Sequence, residues 1–191
     1  MPEDIAAEAN DTEWIGGRPR HDAPITLAHY DPAWPALFDA EAARIRAALG
    51  AEILQLEHTG STSVPGLAAK PIIDIALVVP DSADEGAYVP ALEAAGYRLV
   101  IREPGWFEHR LLKGTDPSVN LHTFSRGCPE VQRMVRFRDW LRTNEPDRDL
   151  YERTKRELAA REWGYVQDYA DAKGEIVEAI IARAGAAAAL D

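Results

Sequence analysis

Apolar residues recur at helical spacing in Trp34, Leu37, Phe38, Ala42, Ile45 and Leu49, which predicts an amphipathic helix opened by Asp31-Pro32 and closed by Gly50. A short strand is expected before it, at 25–30. Residues 52–59 read as a strand, and 71–79 as a second whose near-continuous Ile, Leu and Val mark it as buried on both faces. After a helix at 83–95, strand patterns return at 97–101, 106–112 and 119–124, separated by Pro-Gly and Gly-Thr-Asp-Pro breakers. From Pro129 the period is helical to about Arg183, with Gly164 and Gly174 as interruptions. The expected class is α+β: a mixed, largely antiparallel sheet with flanking helices and a C-terminal helical segment. Residues 1–24, with many acids, Gly and Pro and no sustained period, are expected to form a flexible arm from which Trp14 and Ile15 could dock. Residues 25–185 then form a single domain, and the Ala-rich tail 186–191 frays.

The two strands 52–59 and 71–79 bracket the richest chemistry. Gly60-Ser61-Thr62-Ser63-Val64-Pro65-Gly66 joins three hydroxyls to a Pro-Gly turn, a composition suited to a tight loop with free N–H groups for a phosphate. Lys70 follows, and then Ile72-Ile73-Asp74-Ile75-Ala76-Leu77-Val78-Val79, in which Asp74 is the only charge. An unanswered carboxylate in such a strand is costly, so Asp74 either serves a site or is satisfied by loop donors or a buried Arg. The loop is not a Walker A motif, because Lys70 stands at the wrong distance from Gly66 and precedes Pro71. Nor is it a nucleophile elbow, which needs a second glycine after the serine.

Two further anomalies lie downstream. In the helix expected at 130–143, Val131, Met134, Val135, Phe137 and Leu141 set the apolar side, and Arg138 falls among them. An inward Arg requires a carboxylate or a phosphate. Strand alternation places Asn120, His122 and Phe124 on one face of 119–124, where His122 would meet Asp74 if the two strands are neighbours, as a metal ligand or a donor to phosphate. The face of His109 stays open, and His58 reads as orienting the turn.

Composition narrows the setting. With 191 residues, 46% of them hydrophobic, and five Trp, the chain suits one well-cored domain. A single Cys128 excludes an internal disulfide; no signal peptide or long apolar run is present, so a cytoplasmic location without membrane insertion is expected. The net charge of −11 argues against general nucleic-acid binding. Between Arg126 and Arg161, however, ten Lys or Arg face seven Asp or Glu, leaving room for a local anion site.

The spacing of twelve residues between Ser61 and Asp74 resembles that of nucleotidyltransferases, whose Gly-Ser loop precedes an acid on a strand. Those proteins usually carry a second acid two residues on, where this chain has Ala76. From about Ile25 to about Trp163 the chain further resembles the GrpB family. The resemblance rests on Tyr30-Asp31-Pro32-Ala33-Trp34-Pro35, the run from Glu57 through His58-Thr59-Gly60-Ser61-Thr62-Ser63 to Asp74, Asn120-Leu121-His122, Phe137-Arg138-Asp139-Trp140-Leu141-Arg142, and the pair Tyr151 and Lys155. That family is held to belong to the nucleotidyltransferase superfamily and also occurs fused to dephospho-CoA kinase. The resemblance implies binding of a nucleoside triphosphate or related phosphorylated small molecule, with metal-dependent nucleotidyl transfer to an acceptor as the activity. Asp74 is then the catalytic acid, holding Mg²⁺ or Mn²⁺ with His122, Glu57 or Glu108 in place of the missing acid. Gly60, Ser61, Thr62, Ser63, Lys70, Arg138 and Lys155 bind phosphate, and Tyr151 stacks on a base. The alternative expectation is a non-catalytic ligand-binding or accessory domain with a protein partner.

Overall fold

Alternation along β3 (Ile73–Val79) divides its side chains between two environments, and the rest of the molecule is arranged around that division. The computed structural model describes residues 11–18 and 25–188. Its sheet also contains β1 (Glu13–Trp14), β2 (Gln55–Thr59), β4 (Arg98–Glu103), β5 (His109–Thr115) and β6 (Ser118–Ser125). The order is β1-β4-β5-β6-β3-β2, with β3 and β6 parallel and every other pair antiparallel. This is the mixed, largely antiparallel sheet that the sequence pattern predicts.

On one face Ile73, Ile75, Leu77 and Val79 join Leu99, Leu112, Val119 and Leu121 beneath α1 (Trp34–Leu49) and α2 (Val89–Ala94). On the other, Ala76, Val78 and Phe124 pack on Val131 and Met134 of α3 (Pro129–Thr143). Both faces of β3 are therefore covered, which is why its sequence is apolar at almost every position. The C-terminal segment adds α4 (Glu145–Ala159), α5 (Val166–Asp171) and α6 (Gly174–Ala188). Leu141 of α3, Tyr151 of α4 and Ile180 of α6 close on Val64 and Leu67, so these helices grip the loop that follows β2. Among the described residues no helix is long and apolar enough to cross a membrane.

Several expected elements differ in detail. The stretch 25–30 contributes only one bridge, between Ala28 and Ala69, because it lies against the loop before β3 and meets no sheet edge. The helix expected at 83–95 is a 3₁₀ turn at Glu85–Ala87 and the short α2, with Gly86 in the turn and Pro90 in the first turn of the helix. The helical period from Pro129 breaks at Asn144, whose side chain caps α4 by accepting from the Asp147 N–H at 3.0 Å. The arm is ordered in part. Glu13 and Trp14 pair with Arg102 and Ile101, and Trp14 packs on Val100, Ile101 and Leu111; residues 1–10 and 19–24 of the expected arm lie outside the described residues. Helix α6 runs to Ala188, and the last three positions of the expected tail are likewise outside.

Arg138 does point inward, and its partner is a carboxylate. Its Nη1 donates to Glu57 Oε2 at 2.8 Å and to the His58 carbonyl at 2.9 Å, while Nε donates to Asp139 Oδ1 at 2.7 Å. The guanidinium thereby fastens α3 to β2. Removing it takes from Glu57 its cationic partner, leaving it the Gln55 amide, and takes a donor from the His58 carbonyl, so Arg138→Met should lower the free energy of unfolding by about 1–3 kcal/mol. Urea titration of both proteins measures that loss. The same variant should keep the wild-type affinity for phosphorylated ligands, since the charge it removes is already neutralised.

Candidate functional site

Strand β2 delivers the chain to Gly60, which turns it with φ 67° and ψ −174°, a conformation essentially confined to glycine. A second requirement coincides with the first: a Cβ built at Gly60 would lie 2.2 Å from Asp74 Oδ2. The loop backbone thus closes directly over the carboxylate. Residues Ser61–Ser63 follow as a 3₁₀ turn held from within. The Ser63 hydroxyl donates to the Gly60 carbonyl at 2.5 Å, and the Thr62 hydroxyl donates to the Ile72 carbonyl at 3.1 Å. His58 Nε2 lies 3.1 Å from the same Thr62 oxygen; burial pushes the imidazole pKa down to about 4, so the ring is neutral and donates there. Arg142 supplies an external clamp, with Nε and Nη2 donating to the Ser63 carbonyl at 3.0 and 2.9 Å.

Asp74 stands beneath this loop at the edge of a cleft of about 380 Å³. Asn120 Nδ2 donates to Asp74 Oδ1 at 2.8 Å, and His122 Nε2 lies 3.8 Å from the same oxygen. The parallel β3–β6 register is responsible, because it sets Asn120 beside Asp74 and His122 beside Ala76 on the same face. Burial opposes ionisation of Asp74, but His122, the Asn120 hydrogen bond and the charge of Lys173 outweigh it and hold the carboxyl below its usual range.

Around that acid the cleft is cationic. Lys70, Lys113, Lys155, Lys173 and Arg18 line it, and Asp74 is the only carboxylate among its described lining residues. Lys155 Nζ donates to Ser61 Oγ at 3.0 Å and to the Ala68 carbonyl. Lys70 and Lys173 lie 5.4 and 4.7 Å from the ring centroid of Tyr169, a cation–π arrangement that holds two ammonium groups near one aromatic. Burial, with the like charge of Lys173 added, brings Lys155 down to about 7 and Lys70 to about 8. Burial also lowers Lys173 itself.

A hydrogen-bonded chain runs from His122, beside Asp74, away from the loop. His109 Nε2 is 3.1 Å from His122 Nδ1, and His109 Nδ1 is 2.7 Å from Glu103 Oε2. Burial drives the His109 pKa down to about 4. A neutral His109 that donates to Glu103 must accept from His122 Nδ1–H, so the other nitrogen of His122 is presented to Asp74. The chain borders a second cavity of about 610 Å³ that shares Trp14, Arg18, Ile101, Leu111 and His122 with the first.

Of the residues singled out by sequence, Gly60, Ser61, Thr62, Lys70, Asp74, His122 and Lys155 line the cleft. Three do not. Ser63 is turned into the loop's own hydrogen bonds, Arg138 is engaged by Glu57 and Asp139, and Tyr151 is buried edge-on against Phe137, which leaves no face for a base. Glu57 and Glu108, expected as substitutes for the missing acid, pair with Arg138 and Arg110 instead. Sequence reasoning missed Lys113, Lys173 and Arg18. Alternation along β5 carried a signal for Lys113, which shares a face with His109 and Leu111; Lys173 and Arg18 come from the turn between α5 and α6 and from the arm, where no periodicity points inward.

Gly60→Ala tests the closeness of loop and acid. The added methyl meets Asp74 in a backbone conformation that disfavours any side chain, and a loss of about 3 kcal/mol or more in unfolding free energy is expected. Combining it with Asp74→Ala should recover part of that loss in a double-mutant cycle, whereas two additive effects would show that the contact is not the cause.

Comparison with known proteins agrees with this architecture. The family model described as "GrpB protein" matches residues 24–183. A UPF0157 protein of Halalkalibacterium halodurans is 63% identical over 172 residues, covering 90% of this chain and 88% of the relative. The crystal structure of the conserved protein GrpB from Enterococcus faecalis superposes with a TM-score of 0.71 at 30% identity, covering 83% of this chain and 96% of that one. A dephospho-CoA kinase of Mycolicibacterium paratuberculosis is 30% identical over 177 residues, which are 79% of this chain and only 44% of the kinase. On the family model, the close relative and the shared fold together, the chain belongs to the GrpB family.

Proposed function

We propose that the cleft binds a nucleoside triphosphate or a related phosphorylated small molecule. The observation that carries this reading is the convergence of Lys70, Lys155 and Lys173, each depleted of water, on a hydroxyl loop and a single acid. Buried ammonium groups crowded together are unfavourable without an anion, and a polyphosphate answers all three at once. The buried Tyr169 hydroxyl, which has no hydrogen-bond partner among the described residues, belongs to the same cleft wall and adds a donor for a phosphate oxygen.

The chemistry proposed for this arrangement is nucleotidyl transfer: an acceptor hydroxyl oxygen bonds to the α-phosphorus and gives up its proton to water, while the bond from the α-phosphorus to the bridging oxygen breaks and pyrophosphate leaves. Lys70, Lys155 and Lys173 offset the negative charge of the transferring and leaving groups, while the 60–63 turn fixes their position. We propose Mg²⁺ or Mn²⁺ as the accompanying ion. Asp74 and His122 offer a carboxylate and an imidazole nitrogen 3.8 Å apart, and no group of three or more His, Cys, Asp or Glu able to hold a metal occurs among the described residues. The Asp74 carboxylate would hold either ion, which would complete its shell with ligand phosphates and water, whereas the His122 imidazole is a poor ligand for Mg²⁺ and would serve better as a neighbouring donor. When bound, the ion would supply Lewis-acid polarisation of a phosphate oxygen.

Ala76 supports a second reading. It is fully buried with Val78, Phe124 and Val131, so the place of the usual second acid belongs to the core. A ligand-binding or accessory domain with a protein partner accommodates that packing, and it suits the relatives named dephospho-CoA kinase, of which this chain spans about half.

Two measurements test these readings. Phosphate binding stabilises the ammonium forms of Lys155 and Lys70, raising their pKa values from about 7 and about 8; binding near neutrality and above must therefore take up protons and weaken as pH rises through that range. Calorimetric titration with inorganic tripolyphosphate should show this uptake, and Lys155→Met should reduce both the uptake and the affinity, the latter on the order of tenfold. A flat pH profile in the wild type would remove the lysines from the site. The second measurement concerns the cation. Nucleoside triphosphate should bind more tightly with Mg²⁺ or Mn²⁺ than with chelator in the wild type, and Asp74→Asn should abolish that difference; equal affinities in all conditions favour the accessory domain.

A further inference from the structure

The second cavity has a character opposite to the first. Where the cleft beside Asp74 gathers five cations around one acid, the adjoining cavity is lined by Trp14, Trp106, Ile101, Leu111 and the paired imidazoles, with two carboxylates, Glu103 and Asp171, against a single cation, Arg18. Phosphates are repelled by the two carboxylates, gain little from Arg18, which is already paired with Asp168, and gain nothing from the aromatics. A flat, uncharged group gains from both, since rings stack on it and a carboxylate accepts its N–H groups.

The aromatic wall is built for a defined position. Trp106 meets His109 edge-on at 5.2 Å and Phe124 at 5.9 Å, and His109 stacks on His122 at 5.2 Å. The turn that carries Trp106 holds Phe107 at φ 55° and Glu108 at φ 51°, a left-handed pair that bulky residues rarely adopt, and Phe107 is left 45% exposed. Trp106 itself is only half-buried. The two cavities adjoin along the shared His122, Leu111 and Trp14, and a space of about 610 Å³ lies within the range of small-ligand pockets.

From this juxtaposition the geometry points to an aromatic-base subsite: the second cavity holds the nucleobase of the nucleotide whose phosphates occupy the lysine cleft, with Trp106 as its stacking partner. This rests on the phosphate reading above and adds the ligand's other half. It assigns to Trp106 the stacking role that the buried Tyr151 is unable to fill. It also gives Trp14, carried by the short β1 pairing, a position at the junction of the two halves.

Calorimetric titrations with ATP, with GTP and with inorganic tripolyphosphate separate the halves. At least one nucleotide should bind the wild type about tenfold more tightly than tripolyphosphate, in line with base–aromatic stacking. Trp106→Ala should erase that margin and leave tripolyphosphate affinity unchanged, which also shows that the variant is folded; Trp106→Phe should retain most of it. Should the wild type bind nucleotides and tripolyphosphate equally, or should Trp106→Ala preserve the margin or weaken all probes alike, the base subsite is wrong while the lysine cleft stands. Failure of tripolyphosphate itself to bind the wild type overturns both. An acceptor molecule in the second cavity, in place of the base, appears as equal binding of nucleotide and tripolyphosphate and overturns the assignment.

Discussion

A carboxylate in the middle of an otherwise apolar strand has to be answered, and the manner in which Asp74 is answered governs much of this structure. It cannot be met from its own strand, where Ile73 and Ile75 face the opposite side and Ala76 is packed among hydrophobic groups. The parallel pairing with β6 brings Asn120 and His122 onto its face, and the absence of a side chain at Gly60 lets the loop approach its second oxygen. Any larger residue at position 60, or a register shift of one residue between β3 and β6, would leave the charge without these partners. The hydroxyl loop, the β3–β6 register and the wall of the cleft meet at this one half-buried charge.

The electrostatics of the cleft run against those of the chain as a whole. A protein with a net charge of −11 gathers five cationic side chains around one acid by drawing them from separate elements: Arg18 from the arm, Lys70 before β3, Lys113 from β5, Lys155 from α4 and Lys173 after α5. The arginines of the basic segment at 126–161 are largely engaged elsewhere. Arg133 pairs with Glu130 and Glu178, Arg138 with Glu57 and Asp139, and Arg156 with Glu152. Arginine, whose fork suits fixed carboxylate partners, thus fastens elements together, Arg18 at the cleft wall included through Asp168 of α5, while the four lysines, whose charge responds to their surroundings, line the cleft.

The second face of the sheet carries a polar column from Asp74 through His122 and His109 to Glu103, bordered by Trp106 and Phe124. Polar chains that are partly withdrawn from water are tolerable only when their members are satisfied, and here His122, His109 and Glu103 are hydrogen-bonded in series while Asn120 answers Asp74. The column fixes the tautomers and the ring planes together. It gives the floor between the two cavities a rigid, directional surface in place of a loose cluster of imidazoles.

Much of this was legible in the chain. The α+β class, the apolar strand interrupted by Asp74, the hydroxyl loop, the common face of Asn120 and His122 and the inward direction of Arg138 all follow from local periodicity, because alternation and helical spacing fix which way a side chain points relative to its own element. Periodicity says nothing about what stands opposite. Whether Arg138 met a phosphate or Glu57, and whether Tyr151 faced a ligand or Phe137, depended on contacts between elements far apart in the chain. So did the convergence of Arg18 and Lys173, from opposite ends of the molecule's sequence, with Lys70 in the cleft of Asp74. The sequence by itself determined the elements and the chemistry each one carries; the tertiary structure decided which of those chemistries share a cavity, because distance in space between elements is set by the packing of the whole core and not by any segment of it.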